Sequence, residues 1–417
     1  MARRRILLLT PWYPSPGQPA AGLFVRRQAE ALAARFDVAV LVAPLLGAGR
    51  LLGRRPADPA AVQVEEAGVA VLHRPVVAPV PRSWWLAQPL VDRAVRAGAV
   101  ELEAAGGRFD LVHAHVTLPS GPAAVALGRR LGVPVILTEH ASDFAMHLDG
   151  PGKRRLARAA LRAVNAVLAV SPSLAEAIRA FEPSIAPRIV PNVVPTGFFS
   201  PAQEGPPAAP SAPPGRARLL SVGLFTPRKG FADLVRAAAR LVEAGRDVEL
   251  VLAGDGPERT PLEALAAKLL PGRVRFPGLL EPQAVRDAMR WCDVFVLASR
   301  RESFGVVLAE AMACGRPVVA TRSGGPEWVV EPGTGLLVAP GDVAELARAI
   351  GSVLDGGTGL DADVIRARAV ARFGEAAFLE AVGAVYEAAW SDGAGGTSPG
   401  RISADAASGA NGGQMPA

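Results

Sequence analysis

The sequence predicts an α/β protein of two doubly wound domains that face each other across a cleft, and three observations carry that expectation. Short apolar runs without polar alternation are separated by stretches of helical periodicity, as in parallel sheets covered on both faces. The alternation breaks at the Pro/Ala-rich stretch 200–216 and then restarts. The length of 417 residues suits two or three cores, at about 150 residues per domain.

The first domain, expected over 1–199, opens with a buried apolar strand at 6–10, a Pro/Gly-rich loop and a helical pattern over 22–36. Apolar runs at 38–42, 111–113, 133–138 and 166–170 read as further strands. Residues 200–216 read as a linker without periodicity. The second domain, expected over 217–361, begins with a strand at 218–222, a loop to Gly230, a helix over 231–244 and a strand at 248–253. Strands at 274–276, 294–297, 317–320 and 336–338 follow, interleaved with helical sequence. A closing helix is expected over 362–390 and a disordered Gly/Ser/Ala-rich tail over 391–417. In such sheets ligands bind beyond the carboxyl ends of the strands.

Composition narrows the function. A chain that is 50% apolar and 20% charged is not an intrinsically disordered one. Two cysteines exclude a disulfide scaffold and suit a reducing compartment. The apolar run 6–9 is too short for a signal peptide, and the long uncharged stretch 111–128 contains two His, two Pro and two Gly, which excludes a membrane span. A cytoplasmic protein is therefore expected. Residues 1–200 hold 23 basic and 14 acidic side chains, a balance of +9; the other 217 hold 22 and 25, a balance of −3. The first domain should thus meet something anionic. The basic residues are scattered without a recognition motif, so a membrane surface or an anionic acceptor fits better than nucleic acid.

The most informative segment runs Arg301-Glu302-Ser303-Phe304-Gly305-Val306-Val307-Leu308-Ala309-Glu310, directly after a strand and ending in a Gly315 stop. Ser303 is the expected N-cap of a helix over 306–314. Free N–H groups near Phe304, Gly305 and Val306 would hold a phosphate, and Glu310 could accept from a ribose diol. Taken singly, Glu302 is equally a capping carboxylate and Glu310 a solvated helix residue.

Glu302 and Glu310 match the E-x7-E pattern of retaining glycosyltransferases of the GT-B fold, which has two Rossmann-like domains. The chain resembles the large family 4 of those enzymes over about residues 7–390. The resemblance implies that Glu310 holds the nucleotide ribose and that Glu302 lies beside the donor sugar. Val222-Gly223-Leu224-Phe225-Thr226-Pro227-Arg228-Lys229-Gly230 resembles the element whose Lys and Arg clamp the donor diphosphate. Lys229 matches the Lys. The family Arg often follows the first Gly, where this chain has Leu224, so Arg228 is the candidate for that charge. Lys and Arg neutralise a diphosphate without a metal, as the family generally does, so neither metal nor cofactor is expected and the donor is a nucleoside diphosphate sugar.

Gly254-Asp255-Gly256-Pro257 also matches the family; as a dinucleotide fingerprint it fails at Arg259, where a third Gly is needed. Phe276-Pro277-Gly278-Leu279 resembles the loop that meets the base through backbone groups, and Ser323-Gly324-Gly325-Pro326-Glu327 the loop after the next strand. In the first half, Pro11-Trp12-Tyr13-Pro14 through Gly22 resembles the opening loop whose Gly approaches the donor phosphate. Thr138-Glu139-His140-Ala141-Ser142-Asp143 carries a His that the family places near the transferred sugar, His140. His115, in Asp110-Leu111-Val112-His113-Ala114-His115, and Asp143 are acceptor-side candidates. Pro191-Asn192-Val193-Val194 resembles a family turn without its Gly and Asp and reads as structural.

Arg154, Arg158 and Arg162 recur at i+4 beside Lys153 and Arg155, a basic stripe suited to anionic headgroups at the inner face of a cell membrane. Trp84-Trp85, placed in a loop, could anchor a lipid-linked acceptor or pack into the core. The implied activity is transfer of a sugar to a hydroxyl of a cell-envelope glycan or lipid-linked acceptor with retention. A sugar-nucleotide epimerase of the same architecture and a non-catalytic nucleotide-sugar-binding protein are the alternatives.

Overall fold

The computed structural model describes residues 3–15, 18, 20–47, 63–78, 84–202 and 216–394. Most of the expected linker, 203–215, and most of the expected tail, 395–417, lie outside the described residues. The chain forms two compact units: one runs to Val190 and resumes at Leu379, and the other is Pro191–Phe378.

The first unit contains β1 (Arg5–Thr10), α1 (Leu23–Ala33), β2 (Asp37–Val42), β3 (Leu45–Gly47), β4 (Gln63–Glu66), β5 (Val69–His73) and β6 (Val76–Ala78). Then come α2 (Trp84–Gly106), β7 (Leu111–His115), α3 (Ser120–Leu131), β8 (Val135–Glu139), α4 (Phe144–His147), α5 (Pro151–Ala163), β9 (Ala166–Ala169), α6 (Pro172–Phe181) and β10 (Arg188–Ile189). Its main sheet has the order β10-β9-β8-β7-β1-β2-β5-β4, while β3 and β6 pair separately. All main-sheet pairs are parallel except β4 with β5. The run Ile6-Leu7-Leu8-Leu9 is fully buried in β1, as a strand covered on both faces requires. Strand order reverses between β1 and β7, so the carboxyl ends of these strands open onto a switch point.

The second unit contains β11 (Ala217–Val222), a 3-10 turn (Pro227–Lys229), α7 (Phe231–Glu243), β12 (Val248–Ala253), α8 (Arg259–Leu269), β13 (Val274–Gly278) and α9 (Pro282–Trp291). It continues with β14 (Val294–Leu297), α10 (Val306–Ala313), β15 (Val318–Thr321), α11 (Pro326–Val329), β16 (Gly335–Val338), α12 (Val343–Leu354) and α13 (Ala362–Phe373). Its sheet, β13-β12-β11-β14-β15-β16, is parallel throughout and reverses between β11 and β14. The apolar faces of α7, α8 and α12 close one side of it around Phe225, Phe231 and Leu250.

Two expectations are corrected. The single helix over 362–390 is two, α13 and α14 (Glu375–Ala394). Gly374 between them is extended (φ −69, ψ 167), where the helix would need both angles negative. The part of α14 from Leu379 belongs to the first unit, where Tyr386 packs edge-on and Trp390 at a tilt near Phe36. Second, Trp84 and Trp85 open α2 rather than lying in a loop; Pro89 inside that helix masks its periodicity. Among the described residues no helix is long and apolar enough to cross a membrane.

Candidate functional site

At the switch point of the second unit, the loop after β11 brings Lys229 against Glu302 from the loop after β14. Lys229 Nζ donates to Glu302 Oε2 at 2.5 Å, with the two side chains 20% and 10% exposed. The pair is thus held mostly out of water yet accessible at its rim. Gly254 sits at φ 145, and a Cβ there would lie 1.9 Å from the Gly223 carbonyl oxygen, so the backbones after β11 and β12 close on each other only because Gly254 has no side chain. Arg228 is half-buried beside Lys229, and its carbonyl accepts from Arg300 N at 2.7 Å.

Ser303 does not cap α10. The helix starts at Val306 after Gly305, which is left-handed (φ 85), and no side chain caps it. Glu302 N donates to Ser323 O (2.9 Å) and Gly325 N donates to Glu302 O (2.7 Å), so residue 302 is held in a bridge to the neighbouring loop. Phe304 is buried edge-on against Phe373, 5.5 Å between ring centroids. With both neighbours fixed, the chain turns into the helix only at Gly305, and no side chain caps the N–H groups of its first turn. Glu310 lies in α10 and is 3% exposed, so it is not a solvated helix residue. Leu279, after β13, and Leu224, after β11, are 58% and 55% exposed.

Sequence reasoning missed two supports of this edge. The loop 323–325, read from the sequence as the family loop after the next strand, is also the strut that holds Glu302. Arg300 Nη2 donates to buried Asp233 Oδ2 at 2.8 Å, tying the first turn of α7 to the loop after β14. An acidic residue in the first turn of α7 was the available signal, since it reads as a helix-dipole partner.

The first unit gathers histidines. His113 and His115 share one face of β7, two residues apart, with rings 4.5 Å apart. His140 follows β8, and its Nε2 lies 3.0 Å from His115 Nδ1. His113 Nδ1 meets the Tyr386 hydroxyl and its Nε2 meets Thr138 Oγ1, each at 2.7 Å. Burial pushes the His115 imidazole down to about 3 and drives His113 well below its ordinary value, with the neighbouring His115 and His140 adding to the effect on His113. His113 and His115 are therefore neutral at physiological pH.

Glu139 is the support that the motif hides. Its carboxylate, 1% exposed, accepts from Thr117 N (2.8 Å), His140 N (2.7 Å) and Ala141 N (2.8 Å), pinning the segment that carries His140 to the loop after β7. Gly22 is left-handed (φ 68), and a Cβ there would meet the Trp12 carbonyl oxygen at 2.2 Å. The turn places the Phe24 ring 4.4 Å from that of His140. Asp143 is the residue before α4, and its carbonyl accepts from Met146 N and His147 N.

Part of the basic stripe is engaged within the protein. Arg162 Nη2 donates to buried Glu182 Oε2 at 2.8 Å, Arg158 Nε lies 3.6 Å from the same oxygen, and Arg154 and Arg158 stand over Phe181. Arg154 and Arg155 are exposed.

Comparison with known proteins agrees with this arrangement. Residues 20–197 match the family model described as a glycosyl transferase 4-like domain, and residues 216–356 the model described as glycosyl transferases group 1. The chain is 33% identical over 269 residues to 2-deoxystreptamine glucosyltransferase of Streptomyces kanamyceticus, covering 59% of this chain and 68% of that protein. It is 44% identical over 138 residues to the lipopolysaccharide core biosynthesis glycosyltransferase LpsE of Rhizobium meliloti; that match covers 33% of this chain and spans only 39% of the relative's length. Among solved structures, sucrose-phosphate synthase from Thermosynechococcus elongatus superposes with a TM-score of 0.75 at 25% identity, covering 94% of this chain and all of that one. Anabaena HepE in complex with UDP and glucose superposes at 0.69 with 22% identity, covering 91% and 99%, a likeness of fold.

Proposed function

The chain belongs to the group 1 glycosyltransferases of GT-B fold, and from that premise we propose that it moves a sugar, with retention, from a nucleoside diphosphate sugar to a hydroxyl of a cell-envelope glycan or lipid-linked acceptor. The observation that carries the proposal is the Lys229–Glu302 pair, set at the switch point beside the uncapped start of α10. A diphosphate arriving there draws Lys229 away from Glu302 and leaves that carboxylate beside the sugar. Glu310, further along α10, accepts from the ribose hydroxyls.

In the transfer step the acceptor hydroxyl attacks the anomeric carbon on the face from which the diphosphate departs. The sugar–diphosphate bond breaks, and the acceptor proton passes to the departing diphosphate oxygen. Lys229, Arg228 and the N–H groups at the head of α10 meet the charge that grows there, in place of a metal ion. His140, neighboured by a neutral His115, offers a hydrogen bond to a sugar hydroxyl. The names of LpsE and of the deoxystreptamine enzyme point to polyhydroxylated acceptors. The exposed Arg154 and Arg155 suit a peripheral position at the inner face of a membrane. A non-catalytic nucleotide-sugar binder is the second reading, and Leu224, exposed where the family Arg often stands, is what favours it.

Calorimetric titration of UDP, GDP and ADP into the wild type and Glu310→Ala is the test. One nucleotide should bind and lose about 1–3 kcal/mol in the variant, and the matching nucleotide sugar should release nucleoside diphosphate when acceptor is added. Binding of none of the three would overturn the donor-site assignment; binding without turnover on any acceptor would favour the second reading.

A further inference from the structure

His115 and His140 meet in a geometry that fixes more than a distance. Their ring centroids lie 5.3 Å apart, and the bonded nitrogens, His115 Nδ1 and His140 Nε2, lie 3.0 Å apart. Each nitrogen sits one ring radius from its centroid, so 5.3 Å is close to the largest separation that a 3.0 Å contact allows. The two rings therefore meet end to end along one line, their planes 23° apart, rather than face to face. In that alignment the bond follows the N–H direction of one ring and the lone-pair direction of the other. One hydrogen occupies it, and only one of the rings supplies that hydrogen.

His115 is fully buried and neutral, so it carries a single ring hydrogen. Its Nε2 is buried and has no hydrogen-bond partner among the described residues. Were His140 the donor, the His115 hydrogen would have to sit on that Nε2 as an orphaned buried N–H. Orphaned N–H groups are rarer in protein interiors than unused acceptors, so the hydrogen belongs on His115 Nδ1. His140 Nε2 then accepts, and His140 carries its own hydrogen on Nδ1.

The surroundings hold both rings to this bond. His113 is clamped at both nitrogens, by Tyr386 and Thr138 at 2.7 Å each, and its ring lies 4.5 Å from that of His115. The Glu139 carboxylate ties Thr117 N, two residues past His115, to His140 N. Neither histidine can swing away without breaking buried hydrogen bonds.

We propose that His115 is a positioning residue for His140: by donating Nδ1–H to His140 Nε2, it fixes His140 as the Nδ1–H tautomer. His140 can then donate through Nδ1 to a hydroxyl or carbonyl oxygen, while its Nε2 is closed as a proton acceptor. The tautomer stands on the histidine geometry alone; its use, holding a hydroxyl of the transferred sugar, rests on the glycosyltransferase reading.

The test records two-bond proton–nitrogen correlations on the full chain labelled with nitrogen-15 histidine, which separate the Nδ1–H, Nε2–H and doubly protonated forms. Single variants assign the signals of the five histidines. In the wild type His115 and His140 should both show the Nδ1–H form, against the Nε2–H form that free histidine prefers. His115→Leu removes the donor, and the His140 signal should move toward the Nε2–H form. His115→Asn offers an amide N–H where Nδ1–H stood and should restore the Nδ1–H form of His140. Release of nucleoside diphosphate from UDP-glucose, GDP-mannose and ADP-glucose into water is followed on the same proteins. Turnover should fall about tenfold in His115→Leu, as loss of one transition-state hydrogen bond gives, and recover in His115→Asn. A merely structural role would leave the two variants alike. Wild-type His140 with its hydrogen on Nε2, or a His140 tautomer unmoved in His115→Leu, overturns the proposal. A tautomer that moves while turnover holds removes its use in transfer. The expected tautomer in a wild type that turns over none of the three sugars leaves the positioning standing and counts against the glycosyltransferase reading instead.

Discussion

At the carboxyl edge of the second unit the candidate side chains are charged and reach the solvent rim: Lys229 against Glu302, with Arg228 and Arg300 close by. At the corresponding edge of the first unit they are buried: neutral His113 and His115, with His140 beside them and a Glu139 carboxylate consumed by three backbone N–H groups. The same kind of sheet therefore supports two kinds of site. An ion pair accessible at its rim can be opened by an incoming anion at little structural cost, because the anion replaces the carboxylate. A desolvated imidazole pair cannot change partners cheaply, so it is suited to fixed positioning. Activity and stability should separate between the two edges accordingly.

The largest effect is expected at the charged edge. Lys229→Ala should lower kcat/KM for the nucleotide sugar by about 10²–10³, as loss of a charge aimed at a leaving group does, while the melting temperature moves little because Glu302 keeps some access to water. The check is steady-state release of nucleoside diphosphate beside a thermal melt. A melt that drops as steeply as the activity would show that the pair is a structural strut.

At the neutral edge the expected signature is in stability against pH. The folded state holds the His115 imidazole near 3, below its ordinary 6.5, so between those values the unfolded chain binds the extra proton. The contribution is fully present above about pH 6.5 and is lost as pH falls toward 3, at up to about 1.4 kcal/mol for each tenfold rise in proton concentration. His115→Asn should flatten the acid limb of a urea-denaturation series from pH 7 to 4. An unchanged slope would mean that the acid sensitivity lies elsewhere.

Glu139→Gln comes next. The amide places one N–H donor against a backbone donor, so about 1–3 kcal/mol should be lost in urea denaturation. Nucleotide affinity should be unchanged, because the proposed nucleotide site lies in the second unit. Loss of nucleotide binding would show that the two edges are not independent.

The sequence made some of this legible and hid the rest for physical reasons. Strands such as β1 and β14 announce themselves because both faces are covered and the apolar run is unbroken. β4, whose sequence is Gln63-Val64-Glu65-Glu66, does not, because an antiparallel edge strand can be polar. The break at Gly374 is hidden because Ala-rich helical sequence continues on both sides. Lys229 and Glu302 stand 73 residues apart and meet, and they were found through motifs rather than spacing. Glu139 and the loop 323–325 act through backbone hydrogen bonds, which leave no spacing to read. Ser303 has the right chemistry for a cap, but burial of Phe304 moved the helix start past it.

The smallest expected effect tests whether the charged edge is complete. Leu224 is 55% exposed one residue past Gly223, on the loop that carries Lys229. An arginine there would add a charge-assisted contact at a solvent-screened position, so Leu224→Arg should tighten nucleoside diphosphate binding by about threefold to tenfold. Arg228→Ala should do the reverse, and the two changes combined should nearly cancel if one charge substitutes for the other. If Leu224→Arg leaves affinity unchanged while Arg228→Ala still weakens it, Arg228 already fills the place, and the chain has moved this cation along the loop rather than lost it.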